Sequence, residues 1–231
     1  VLHVGASSLQ RLVMMNELSE FEEMYLKCMW ELHSEKPDNI VKTTVLAESM
    51  GVSPASTTEM IQRLASRELV TYIPYRGSRL TSEGFSIAAR IKRRQYLLEI
   101  LLSDIIGFTG DANLAACRLE HSIDDELEAS IDRLLGYPDR TLSGQRIPVV
   151  ERDVRPFERN ILLPIANIPE GNIGSVEIIA VNGPEAITLE KIGLSIGSSV
   201  EKTQGDLLLN GKPILISESL QKRILIRTEM V

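Results

Sequence analysis

The sequence predicts an α+β protein in which a winged helix-turn-helix, a helical region and a small β-barrel follow one another along 231 residues. Three observations support this fold. Two helical segments flank Gly51 and precede a hairpin pattern, and helical periodicity continues to Gly136. Short strand segments separated by Gly, Asn and Pro follow Ile161. Domains are therefore expected at 16–81, 82–137 and 161–231, with 138–160 as a proline-containing linker.

Composition is typical of a soluble globular protein, with 43% hydrophobic and 25% charged residues. No apolar run approaches the ~20 residues that span a bilayer, so no membrane association is expected. Residues 1–15 show no secretory signal and are expected to be a tail outside the fold. The two cysteines, Cys28 and Cys117, are far apart, which fits a reducing compartment and a cytoplasmic protein.

The helix-turn-helix prediction depends on the residues around Gly51. An amphipathic helix over 17–34 comes first, and Pro37 then breaks it. A short helix over 42–50 ends at Gly51, which can adopt the left-handed conformation of a helix C-terminus. Ser53 can cap a second helix with Pro54 at its first position, running to about residue 68. Strand patterns at 69–73 and 78–81 around a turn at 74–77 predict a wing.

The DNA-binding interpretation rests on small polar side chains and on local charge. Between Ser53 and Arg79 there are four basic residues and two acidic ones, although the net charge of the chain is −7. Hydroxyl, amide and guanidinium groups can contact phosphates and base edges. Tyr75 and Ser78 are also expected to reach the DNA backbone from the wing. The predicted DNA-contacting residues are Thr43, Thr44, Ser53, Pro54, Ala55, Ser56, Thr58, Glu59, Gln62, Arg63, Arg76 and Arg79.

Two features of these segments leave alternatives open. A winged helix can serve protein contacts instead of DNA binding. The predicted helix over 82–107 is unusually apolar, and five of its residues could form either a dimer face or ordinary core. These residues are Leu97, Ile100, Leu101, Ile105 and Ile106.

A candidate metal-binding pattern, Cys117-x-x-Glu120-His121, falls in a predicted helix over 111–122. Positions i, i+3 and i+4 share one face of a helix, so a thiolate, a carboxylate and an imidazole would point the same way. Mixed sulfur, nitrogen and oxygen donors suit a transition metal better than calcium or magnesium. Taken alone, the pattern fits almost equally well a buried cysteine beside a surface Glu–His pair.

Together, the runs at 22–32, 101–107 and 116–121 and the helix-turn-helix resemble the diphtheria toxin repressor family of iron- or manganese-dependent regulators. The resemblance covers about 16–137, and the last domain is similar to the small FeoA-like barrel of that family. It implies that Met24, Cys117, Glu120 and His121 hold the activating metal. It also implies a homodimer that binds double-stranded operator DNA when metal is bound. A cysteine at position 117 implies Fe2+, with Mn2+, Co2+, Ni2+ or Zn2+ as possible substitutes.

The family's ancillary metal site uses two histidines and a glutamate, and the sequence departs from it. The matching positions are Gln95, Glu99 and Asn113, so only the carboxylate remains and a second metal is in doubt. Glu185 of the last domain is a possible further donor to that site.

Other functions remain as competing hypotheses. A winged-helix transcription factor could sense manganese, another small ligand or redox state, with Cys117 as the sensor. An adaptor function of the barrel is a third possibility. An enzyme is not expected, because the sequence has no phosphate loop, nucleophile elbow or second acid–base group.

Overall fold

The computed structural model describes residues 18–35, 40–151, 161–181 and 183–228. The predicted tail at 1–15, the break at Pro37 and the linker residues 152–160 lie outside the described residues. The chain divides into two compact units, with the boundary between Lys92 and Arg93. In the described part, no helix has both the length and the apolar character needed to cross a membrane.

The first unit contains three helices and a hairpin around one apolar core. The helices are α1 (Glu20–Glu35), α2 (Thr43–Met50) and α3 (Pro54–Ser66), and the strands are β1 (Val70–Ile73) and β2 (Gly77–Leu80). Helix α4 (Ser82–Ile100) starts in this unit. Six side chains with no exposed surface form the centre of the core: Tyr25, Leu26, Met29, Leu46, Ile61 and Leu64.

The turn between α2 and α3 has the predicted chemistry. Gly51 adopts φ 66°, and its N–H donates to the carbonyl oxygens of Ala47 and Glu48. A residue with a side chain would be strained in this left-handed conformation. Ser53 then caps α3 by accepting a hydrogen bond from the Ser56 N–H, and Pro54 occupies the first turn. Helix, turn and helix are therefore formed as predicted.

The wing is a two-stranded antiparallel hairpin, in which Val70 pairs with Leu80 and Ile73 pairs with Gly77. Val41 adds a bridge to this hairpin, because its N–H and carbonyl exchange hydrogen bonds with Ser78 at 2.8 and 2.9 Å. Ser78 is fully buried. The prediction that Ser78 reaches the DNA backbone is therefore wrong, since backbone pairing turns this residue inward.

The helical part of the second unit is less regular than predicted. Helix α4 ends at Ile100 and a π-helical turn follows at Leu101–Ile105, where one continuous helix was expected. Helix α5 (Ala112–Leu119) is followed by a 3-10 turn (Glu120–Ser122), and α6 spans Asp125–Leu134. π-turns inside helices often mark functional positions. Leu97 and Ile100 are buried in this unit's core, whereas Ile106 is 62% exposed.

A buried ionic cluster joins α4 to α6. The Arg93 guanidinium lies 2.7 Å from Asp132 Oδ2 and 3.3 Å from Glu128 Oε1, and it donates to the Pro148 carbonyl oxygen at 2.7 Å. Arg94 binds Asp125 and the other Glu128 oxygen. Buried charges are tolerated when they are paired and hydrogen-bonded in this way. The cluster therefore holds α4, which carries Gln95 and Glu99, against α6.

The remaining residues form an antiparallel sheet with two short helices, α7 (Pro184–Lys191) and α8 (Glu218–Lys222). The strands are β3 (Ile161–Pro164), β4 (Ile173–Ile179), β5 (Ser199–Thr203), β6 (Asp206–Leu209), β7 (Lys212–Ile214) and β8 (Ile224–Thr228). Their order is β3-β8-β4-β5-β6-β7, and the sheet is open in the described residues. The prediction of a closed barrel is thus not confirmed. Strand β8 follows directly after α8, which Ser217 caps by accepting from the Leu220 N–H.

Candidate metal centre and nucleic-acid interface

The recognition helix α3 presents small polar residues to solvent. Thr57 is the exception in the first turns, because it is buried and its Oγ1 lies 3.3 Å from the Tyr25 hydroxyl oxygen of α1. This contact fixes which side of α3 faces outward. The predicted DNA-contacting residues of this segment are exposed, apart from half-buried Thr58: Ser53, Pro54, Ala55, Ser56, Glu59, Gln62 and Arg63.

A second exposed polar surface lies between the start of α2 and the wing. Thr44, Arg76 and Arg79 are exposed, Thr43 is half-buried, and Tyr75 is fully exposed at the tip of the hairpin. A cavity of about 390 Å³ lies here, and sequence reasoning missed Lys42 and Tyr72 on its wall. Cations and hydroxyls beside a helix N-terminus suit a backbone phosphate. The lining residues are Lys42, Thr43, Thr44, Tyr72, Tyr75, Arg76 and Gly77.

Glu22, at the start of α1, connects that helix to the far end of α3. Its side chain is 1% exposed and lies 3.0 Å from Arg63 Nε and 3.2 Å from Arg67 Nη1. Its Oε2 accepts from the Ser19 N–H at 2.8 Å and the Ser19 hydroxyl at 2.9 Å. Sequence analysis did not predict the two arginine contacts, because Glu22 meets Arg63 and Arg67 only when α1 and α3 pack together.

The pKa of Glu22 reflects these contacts. Burial raises it, but the hydrogen bonds from Ser19 and the charges of Arg67 and Arg63 together outweigh burial, so the pKa lies below the usual glutamate value. Glu22 is therefore a carboxylate at neutral pH. A buried charge with this many donors is held in one position.

The Cys117–His121 segment spans the end of α5 and the 3-10 turn. Cys117 is half-buried in the last turn of α5, and Glu120 and His121 follow in the 3-10 turn. Glu120 Oε1 lies 3.3 Å from His121 Nε2, and the two side chains are 0% and 6% exposed. The structure thus brings Glu120 and His121 together in the protein interior. No group of three or more His, Cys, Asp or Glu side chains is arranged for a metal within the described ranges.

Met24 and Cys28 both lie on α1 of the first unit and are both half-buried. Burial and the nearby Glu31 raise the pKa of the Cys28 thiol. A neutral thiol is a poor metal ligand, because the thiolate is the binding form. This agrees with Cys28 as part of the core, against which it packs. The membership of Met24 in a metal site rests on the resemblance alone.

The ancillary-site positions make contacts within the protein. Asn113 Nδ2 donates to Glu99 Oε2 at 3.1 Å, and Gln95 is 4% exposed. Glu185, the possible further donor, is 2.7 Å from Arg223 Nη1. A carboxylate with two amides is a weak donor set for a transition metal. These residues therefore do not fit a second transition-metal site.

Comparisons with known proteins assign the DNA-binding region and the helical region that follows it to one family. Residues 17–78 match the description "Iron dependent repressor, N-terminal DNA binding domain". Residues 81–149 match "Iron dependent repressor, metal binding and dimerisation domain".

Full-length relatives agree. The chain is 30% identical over 220 residues to the diphtheria toxin repressor of Corynebacterium glutamicum, covering 89% of this chain and 95% of the relative. It is 30% identical to the iron-dependent repressor IdeR of Mycobacterium tuberculosis, covering 84% and 77%. Among solved structures, a manganese-dependent transcriptional repressor in complex with manganese matches with a TM-score of 0.51 and 26% identity, covering 90% and 99%.

These matches extend over most of the chain and include both the recognition helix and the Cys117–His121 segment. The family consists of transcriptional repressors and not of enzymes. The chain belongs to the iron dependent repressor family and is a metal-dependent transcriptional repressor.

Proposed function

We propose that this repressor responds to ferrous iron and that Met24, Cys117, Glu120 and His121 hold the ion. The observation that supports this most directly is the buried Glu120–His121 pair, 3.3 Å apart and three to four residues beyond Cys117. A carboxylate, an imidazole and a thiol at this spacing make a mixed donor set. The burial of the Glu120 and His121 side chains would exclude competing water.

The choice of iron follows from the sulfur donors. The thiolate of Cys117 and the thioether of Met24 are softer than carboxylate oxygens, and soft donors favour iron over manganese. When bound, the ion would supply positive charge and coordination bonds to four side chains. Mn2+, Co2+, Ni2+ and Zn2+ are candidate substitutes, because a given protein site binds several divalent transition metals, with affinities that differ from metal to metal.

The DNA-binding function uses the exposed polar residues of α3 and of the wing. Ser56, Gln62 and Arg63 would contact the operator from the recognition helix, and Arg76 and Arg79 would contact flanking phosphates. With a local surplus of only two positive charges, one protomer would bind weakly. We therefore propose a homodimer that reads two half-sites about 34 Å apart, with contacts from the 82–137 helical domain.

The regulatory link is the position of Met24 on α1, two residues after Glu22. Glu22 binds α3 through Arg63 and Arg67, and the buried Thr57–Tyr25 contact joins the same two helices. Metal binding at Met24 would therefore affect the position of α3, the helix that carries the DNA-contacting residues. Ligand binding of this kind selects the DNA-binding state from an existing equilibrium.

Three further proposals complete this function. The domains are 16–81, 82–137 and 161–231, the last domain is FeoA-like, and the protein acts in the cytoplasm. The six-stranded order β3-β8-β4-β5-β6-β7 with its two short helices supports a small β-rich domain in the C-terminal part of the chain.

The test is anaerobic binding to an operator selected from random duplexes, with Fe2+, with Mn2+ and with chelator. We expect binding only with metal, at lower Fe2+ than Mn2+ concentrations. Met24→Ala and Cys117→Ala should each weaken metal-dependent binding by about a hundredfold while leaving the circular dichroism spectrum unchanged. Asn113→Ala serves as the control, because Asn113 is exposed and outside the proposed set.

Two outcomes would contradict the proposal in different ways. Operator binding that ignores both metal and chelator would remove the metal switch, and Cys117 would next be tested as a redox sensor. A metal response that persists in both ligand variants would show that the ion binds elsewhere.

A further inference from the structure

One cluster in the first unit is not explained by metal binding or by base reading. The Glu22 carboxylate, buried at the start of α1, is bonded to Ser19 of its own helix turn and to two arginines of the α3 region. Of these arginines, Arg67 is 25% exposed and Arg63 is 60% exposed. Arg63 thus links the buried carboxylate to the protein surface.

Arg63 lies on the exposed side of the recognition helix, which is the side proposed to contact DNA. It is four residues after Glu59 and seven after Ser56, so the three residues share one face of α3. Glu59 and Ser56 are both exposed. Arg63 therefore lies toward the C-terminal end of this exposed stripe of α3, where its side chain could reach the edge of a major groove and its phosphates.

The geometry of Arg63 leaves part of its guanidinium available. Its Nε, the atom nearest the helix, lies 3.0 Å from Glu22 Oε1. A guanidinium has donors on two edges in a fixed plane, so it can bind a carboxylate with one edge and a phosphate with another. A guanidinium that is already held in one orientation before DNA binds loses less rotamer entropy on binding.

We propose that Glu22 is a positioning residue, which aims Arg63 at a backbone phosphate of the operator. This inference rests on the proposed DNA-binding function. Glu22 does not touch DNA, and it acts through Arg63.

A purely electrostatic role of Glu22 leads to the opposite expectation. Removing a negative charge near the DNA surface would strengthen binding, because DNA is a polyanion. Removing a positioning carboxylate would weaken binding, even though the protein becomes more positive. The sign of the effect of Glu22→Gln therefore separates the two roles.

The experiment compares operator binding of metal-loaded Glu22→Gln and Glu20→Gln with that of the native protein. Glu20 lies in the same first turn of α1 and is exposed, so its variant makes the same charge change without the Arg63 contact. We expect Glu22→Gln to weaken binding by about tenfold, the loss typical of one charge-assisted hydrogen bond, and Glu20→Gln to change binding less than twofold.

A double-mutant cycle shows whether Glu22 acts through Arg63. In an Arg63→Ala background, Glu22→Gln should cause no further loss, because the side chain it positions is absent. The dependence of log K on log[salt] should be shallower by about one in both single variants, as for the loss of one phosphate contact. A simple loss of folding stability would leave the slope of log K against log[salt] unchanged. The effects of Glu22→Gln and Arg63→Ala would then add.

Arg63→Lys keeps the test decisive if Glu22→Gln unfolds. This surface variant retains the charge and leaves Glu22 in place, but a lysine cannot bind carboxylate and phosphate in one plane. We expect it to bind about fivefold more weakly, since the planar contact is lost. Native-like binding by Arg63→Lys, tighter binding by Glu22→Gln or full additivity in the cycle would each overturn the proposal. Failure of the native protein to bind DNA with metal would instead refute the proposed function.

Discussion

Two groups of candidate metal ligands occupy the helical part of the second unit, and they differ in donor chemistry. The first, Cys117, Glu120 and His121, combines a thiol, a carboxylate and an imidazole around a buried pair 3.3 Å apart. The second consists of Gln95, Glu99 and Asn113. Here an amide N–H donates to the carboxylate at 3.1 Å.

This difference shows that a hydrogen bond between two side chains, here Asn113 and Glu99, can connect positions that a metal ion would otherwise join. An amide nitrogen can donate a hydrogen bond to Glu99, whereas neutral amides offer a transition metal little. The Asn113–Glu99 bond joins α5 to α4, which is the kind of cross-link that a shared metal would make. We expect the largest effect from breaking the ionic cluster that joins α4 to α6, a smaller effect at the first group and the smallest at the second.

The largest effect is expected from breaking this ionic cluster. Arg93→Ala removes the guanidinium between Glu128 and Asp132, whose side chains are 0% and 1% exposed. Leaving buried carboxylates without this partner should lower the free energy of unfolding by about 3–5 kcal/mol. Urea unfolding of the metal-free protein measures this loss.

Arg146→Ala is the matched control, because Arg146 is an exposed arginine of the same unit. Its expected cost is below about 0.5 kcal/mol. Equal stability of the two variants would mean that the ionic cluster does not hold α4 to α6.

The ionic cluster also shows what sequence reasoning could and could not predict here. Helix periodicity, Gly51 and the Ser53–Pro54 cap predicted the recognition unit, because those signals are local. Arg93 lies on α4, far in the sequence from Glu128 and Asp132 on α6, so their meeting depends on tertiary packing. The Glu22–Arg63 pair was missed for the same reason.

Local geometry accounts for the other differences. Residues 101–105 have the apolar composition of a continuing helix, yet the Ile106 N–H donates to the Leu101 carbonyl oxygen five residues back. Composition does not distinguish a π-turn from an α-helix. The closed barrel was inferred from short strands and turns, and those signals fix the number of strands but not whether the edge strands pair. The Cys117–His121 spacing was visible in the sequence, whereas the burial of Glu120 was not.

An intermediate effect is expected at the first ligand group. His121→Ala removes the imidazole beside Glu120, and the metal affinity should fall by more than about a hundredfold, since even outer contacts of metal ligands contribute ten- to a hundredfold. Anaerobic competition titration with a chromogenic chelator measures the affinity. Asn113→Ala should retain the native affinity. A His121→Ala protein that binds Fe2+ as tightly as the native chain would exclude His121 as a ligand.

The smallest effect is expected at the second group. Glu99→Gln removes the carboxylate charge but keeps an oxygen that can still accept from Asn113, so the free energy of unfolding should change by less than about 1 kcal/mol. Because the Gln95–Glu99–Asn113 group is a poor donor set, the number of Fe2+ ions bound per protomer should also stay the same. Elemental analysis after anaerobic gel filtration measures this number. If Glu99→Gln lost one ion per protomer, the second group would be a working metal site. The two groups would then differ in how tightly they bind the ion and not in whether they bind it.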